Sequence, residues 1–94
     1  MRKSTFIFTE EWSQSISEYL IKIKKLHALS YEDIATKLKT YDIDITPKSL
    51  AVRFSSGKLS SNLLAASLIA MGESSVNLKT IEGLYLQKIN KDGQ

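Results

Sequence analysis

The chain has 94 residues, 43% of them hydrophobic, with no cysteine, 13 Lys and Arg against 10 Asp and Glu, and a formal net charge of +3. That length allows one domain with a single modest core, and the apolar fraction argues against a disordered segment. Without cysteine there are no disulfides and no thiolate metal sites, which suits a reducing compartment.

The opening residues, MRKSTFIFTEEW, hold only Phe6-Ile7-Phe8 as an apolar run, shorter than a signal peptide requires. The longest apolar stretch, LLAASLIAM at 63–71, is too short to span a bilayer. A cytoplasmic protein with no membrane role is therefore expected. The excess charge is localised. Between Thr46 and Gly72 the only charged residues are Lys48, Arg53 and Lys58, so the rest of the chain sums to zero. An acid-free window of this kind suits an anionic partner, although solubility alone also accounts for small local excesses.

In chain order, Trp12, Ile16, Tyr19, Leu20, Ile23 and Leu26 follow one helical face, which predicts a first helix over about 10–27. Thr9 is placed to cap it, the acids Glu10 and Glu11 open it, and Lys22, Lys24, Lys25 and His27 close it, as the helix dipole favours. Glu18 and Lys22 have ion-pair spacing on its wet side. A second helix, about 31–40, starts from Ser30 as N-cap, with Asp33 completing a capping box. Ile34, Ala35 and Leu38 face inward and Tyr31 covers the edge.

Residues 41–46, YDIDIT, alternate with a period of two, and a structured loop is the favoured reading over a short ribbon with Phe6-Ile7-Phe8. Thr46-Pro47 then reads as N-cap and first position of a third helix, 47–56, closed by Gly57. Its inward residues are Leu50 and Phe54. Its outward residues are Lys48, Ser49, Val52, Arg53 and Ser56. A fourth helix is capped by Ser60 or Ser61, lined by Leu64, Leu68 and Met71, and ended by Gly72. Leu78, Ile81, Leu84, Tyr85 and Ile89 set a fifth at about 77–90, with Leu86 off the stripe and NKDGQ fraying. The expected architecture is an all-α, compact five-helix domain spanning 1–94, with a core at about 10–90 and a short N-terminal arm.

Two short helices joined by a turn, the second carrying cations and hydroxyls outward, suit a helix-turn-helix whose second helix enters the DNA major groove. Arg53 has the fork to reach a guanine edge or a phosphate, and Ser49 and Ser56 can donate or accept. Val52 fits a thymine methyl, and Lys48 and Lys58 suit phosphates. An ordinary solvated helix face is the alternative. Asp42 and Asp44 count against DNA unless they point away, and the turn is longer than the usual three or four residues. An enzyme is not expected: His27 is the only histidine, no nucleophile is placed with a base, and neither a phosphate loop nor metal-ligand spacing occurs. No cofactor and no metal are expected.

SYEDIATKL resembles the first half of a lambda repressor/Cro-like helix-turn-helix, with Ile34, Ala35 and Leu38 in the packing places. SLAVRFSSGKLS followed by LLAASLIAMG resembles the end of its recognition helix, the following turn and a fourth helix. More closely, the stretch from Trp12 to about Val76 is similar to a family of small bacterial proteins. That family has an early Trp, a SY-x-x-LA-x-KL segment, a longer middle turn and GKFS. Here Ser56 stands where arginine is common, which removes one expected phosphate contact, and Leu59 replaces the phenylalanine. The resemblance implies a repressor-like domain with Lys48, Ser49, Val52 and Arg53 on recognition-helix positions. Double-stranded DNA is then the expected partner, read by a homodimer of a small transcriptional regulator. The dimer contact would come from helix five with Leu86 or from the Phe6-Ile7-Phe8 arm. A protein-binding module on the same scaffold, such as a phage-encoded inhibitor or an antitoxin-like partner, is the rival.

Overall fold

The computed structural model describes residues 10–93, with side chains to 90. The Phe6-Ile7-Phe8 arm and the Thr9 cap lie outside the described residues. Five helices follow in order: α1 (Glu10–Leu26), α2 (Tyr31–Lys39), α3 (Pro47–Ser56), α4 (Ser61–Ala70) and α5 (Leu78–Gly93). Among the described residues there is no strand, and YDIDIT is a loop.

The helix starts are set by side chains. Ser30 and Asp33 form the capping box: the Ser30 N–H donates to the Asp33 carboxylate at 2.9 Å and the Asp33 N–H donates to Ser30 Oγ at 3.0 Å. The backbone bond first, then the hydroxyl, holds the Asp33 carboxyl below its ordinary value. Thr46 Oγ1 and Ser60 Oγ accept the N–H groups of Ser49 and Leu63 in the same way, and Asn77 caps α5 through Thr80.

The helix ends are set by backbone turns, and three share one pattern. The Leu29, Ile43 and Glu73 N–H groups reach back five residues to Lys24, Leu38 and Leu68 carbonyls. The residue before each donor, Ala28, Asp42 or Gly72, has positive φ and donates three residues back. This is the Schellman turn, whose left-handed position favours glycine. Ala28 at φ 54° and Asp42 at φ 66° fill it without that freedom.

Helix α1 runs through the middle, packed against α5 and against α3, while α2 packs on α3 and α4. Leu20, Ile34, Leu38, Leu50 and Phe54 are essentially closed to solvent. Each such side chain contributes about 1.5–3 kcal/mol by leaving water. Tyr31 stands edge-on to Phe54, centroids 5.5 Å apart, beneath the Lys24 ammonium at 4.5 Å, so it does cover that edge. Burial pushes its phenol pKa up. Tyr19 holds the start of α5 to α1, its hydroxyl accepting the Asn77 N–H at 2.8 Å.

Several expected contacts differ. Because α1 is covered by two neighbours, Ser13, Ser15 and Ser17 are buried off the predicted apolar stripe. Trp12 is not core. It is 38% exposed and stacks on Tyr85 at the α1–α5 seam, centroids 4.0 Å apart. Leu26 and Leu78 sit on their predicted stripes yet are 76% and 72% exposed, since each lies at the end of its helix, where no neighbour covers it. Glu18 pairs with Lys88 of α5 at 2.7 Å instead of Lys22. Helix α5 continues to Gly93, past the expected end near 90. Among the described residues no helix is long and apolar enough to cross a membrane.

Candidate nucleic-acid interface

The outward face of α3 is built from its inward one. Pro47 has no N–H to leave unpaired at the first position, and Thr46 caps the turn above it. Leu50 and Phe54, four residues apart and both at 0% exposure, fix the helix to the core. That rotation leaves Lys48, Ser49, Val52, Arg53 and Ser56 exposed.

The far end of α3 is fixed by a backbone contact. Gly57 takes the left-handed conformation at φ 70°, and a Cβ on it would stand 1.8 Å from the Ser13 carbonyl oxygen. Only glycine permits α1 and the end of α3 to meet this closely. The same turn throws Lys58 back beside Arg53. As a result Lys48, Ser49, Val52, Arg53, Ser56 and Lys58 line a single shallow concavity of about 450 Å³.

All six residues singled out from the sequence are therefore brought together. Among the described residues, neither Lys48, Arg53 nor Lys58 has a carboxylate within ion-pair distance. Ser56 differs from the rest. Its hydroxyl donates to the Arg53 carbonyl at 3.2 Å and accepts the Lys58 N–H at 3.1 Å, so its one proton already serves the helix end. As a donor to a ligand it would have to give up that bond. Ser49 keeps its hydroxyl free among the described residues.

A larger groove, about 610 Å³, adjoins this surface between the 43–46 turn, α3 and the start of α4. Ser49 and Arg53 line it from one side, Ser60 and Asn62 from another, and Asp44 from the turn. The two turn acids thus part company. Asp42 occupies the left-handed Schellman position, a place where aspartate is tolerated, and has a conformational reason to be there. Asp44 lines the same groove as Ser49 and Arg53, so it is not set apart from the cationic side. None of Asp44, Ser60 and Asn62 is expected from the sequence to line a site with Arg53. The 43–46 turn brings Asp44 to this groove and the connection from α3 to α4 brings Ser60 and Asn62, and periodicity encodes neither path.

The connection between α2 and α3 covers residues 40–46, longer than the standard helix-turn-helix turn. Elsewhere, His27 and Glu73 are joined at 2.8 Å, tying the end of α1 to the α4–α5 loop, which is a structural use of the single histidine. Among the described residues no three His, Cys, Asp or Glu side chains gather as metal ligands would.

Residues 12–76 match the protein family described as Domain of unknown function (DUF6471), and the chain belongs to that family. The match contains α1 to α4 and both surfaces above, and it stops before α5. No curated protein and no solved structure matches the chain.

Proposed function

We propose that this protein binds double-stranded DNA in a sequence-specific way, with α3 in the major groove, as a small repressor-like transcriptional regulator. The observation that carries this reading is the α3 face itself. Three cations and a free serine hydroxyl stand on one exposed concavity, unpaired among the described residues, on a helix fixed by two fully buried side chains. Unpaired cations on a rigid element suit a phosphate backbone, because no internal partner must be given up on binding. Arg53 is the base reader in this scheme, Lys48 and Lys58 are phosphate contacts, and Val52 (61% exposed) meets a thymine methyl. A module of this size covers about 600–1,000 Å² of protein surface on DNA, so useful specificity calls for a homodimer on two half-sites.

The protein-binding reading is favoured by a different observation. Leu26, Ile69, Val76 and Leu78 are all exposed near the C-terminal ends of α1 and α4 and the start of α5. Exposed apolar side chains in number suit a protein surface. A homodimer and a heterologous partner both fit them.

The test is a titration of the protein against random-sequence duplex at several salt concentrations. Binding through α3 predicts a steep decrease of log K with log salt, about 0.9 per phosphate contact. Lys58→Ala should lower that slope by about one. Flat or absent binding would favour the protein-binding reading.

A further inference from the structure

We infer that Asp44 is a specificity-determining residue that, beside Arg53, reads the cytosine edge of a G·C pair. This rests on the DNA-binding reading above. Asp44 and Arg53 line the same groove beside α3, yet they form no ion pair with each other. Nor does Asp44 have any other hydrogen-bond or ion-pair partner among the described residues. Unlike Asp42, it has no backbone reason to be acidic, since Asp42 rather than Asp44 takes the left-handed conformation.

An unpaired carboxylate beside a phosphate-binding face weakens attraction to any duplex. Its chemistry becomes useful only against a donor. On the major-groove edges, the cytosine N4 amino group is the donor that a carboxylate accepts from, while guanine presents the N7 and O6 acceptors that suit an arginine fork. A groove with a free guanidinium on one wall and a free carboxylate on another therefore matches a G·C pair in one orientation. Against thymine O4 or guanine N7 and O6 the carboxylate meets only acceptors and repels, and against adenine the N6 donor stands beside the N7 acceptor, while a T opposite it gives the Arg53 fork one acceptor instead of two. Asp44 would therefore reduce non-specific binding while favouring the correct site.

The experiment selects bound duplexes from a random pool with the natural protein and with Asp44→Asn and Asp44→Ala, and measures affinity for the selected site and for random duplex. The natural protein should select a G·C pair in one orientation, at the position where Arg53→Ala loses its demand for guanine. Asp44→Asn should relax the selection at that pair, because a neutral amide both donates and accepts and no longer repels the acceptors of the other base edges. Asp44→Ala should bind the selected site roughly 5- to 100-fold more weakly, with random duplex bound as well as before or more tightly. If the natural protein selects a site and both variants select the same one, Asp44 reads no base and the inference falls, with DNA binding intact. It falls equally if Asp44→Ala tightens selected and random duplex by the same factor. If the natural protein binds no duplex at any salt, the DNA-binding reading falls and takes this inference with it.

Discussion

Helices α3 and α4 are both ten residues long, both begin at a hydroxyl N-cap, and neither has an acid in its first turn. Their solvent faces have little in common. Helix α3 presents Lys48, Arg53 and hydroxyls around one apolar residue, Val52, whereas α4 carries no charge at all and exposes Ile69. The contrast separates two kinds of surface on one small domain, a cationic one along α3 and the turn after it and an apolar one where α1, α4 and α5 meet their loops. A charged partner and an apolar partner would therefore approach from different helices.

This division of surfaces is most severely disturbed from inside α3. Phe54→Ala should cost about 3–5 kcal/mol in a denaturant titration, because it empties a fully buried site against Tyr31. Gly57→Ala should cost more than the roughly 1–2 kcal/mol of a left-handed alanine, since its methyl would overlap the Ser13 carbonyl. Substitutions on the two solvent faces are read in binding rather than in stability and tell the faces apart. Arg53→Ala and Lys48→Ala should leave stability within about 0.5 kcal/mol while weakening duplex binding, and Ile69→Ala should do neither unless dimerisation is required.

Smaller effects concern the helix ends and α4. Ala28→Gly should raise stability by about 0.5–1 kcal/mol, because the φ of 54° is strained for alanine. Ser67→Ala should raise it by up to about 1 kcal/mol, since the buried Ser67 hydroxyl has no hydrogen-bond partner. The smallest effect is one of pH. The Asp33 carboxyl is held below its ordinary value by Ser30, so its contribution is present above the ordinary aspartate range and is lost as pH falls through the lowered folded value. Thermal unfolding between neutral and strongly acidic pH should show that loss, and Ser30→Ala should reduce it.

The helices are legible in the sequence because their starts depend on residues with strong local chemistry. Ser30, Thr46-Pro47 and Ser60 mark N-termini, and Gly57 and Gly72 mark ends. The ends near 27 and 40 are placed within a residue, but the left-handed turns at Ala28 and Asp42 that make them are not legible, because neither residue is the glycine that marks such a turn. Stripe residues at helix ends mislead for a related reason. Leu26 and Leu78 continue a period, but burial requires a neighbour, and none reaches them. On α3, spacing alone separates Leu50 and Phe54 from Lys48, Val52 and Arg53. That Asp44 shares a groove with Arg53 is hidden, since it depends on how the 40–46 turn travels.

Whether α3 is the face that meets DNA can be tested most directly by a two-dimensional NMR titration with a duplex selected from a random pool. The backbone amides most perturbed should be those of Asp44, Lys48, Ser49, Val52, Arg53 and Lys58, with α5 little changed. Perturbations centred on Leu78 and Leu86 with α3 silent, or no perturbation at any duplex concentration, would contradict a DNA-reading α3.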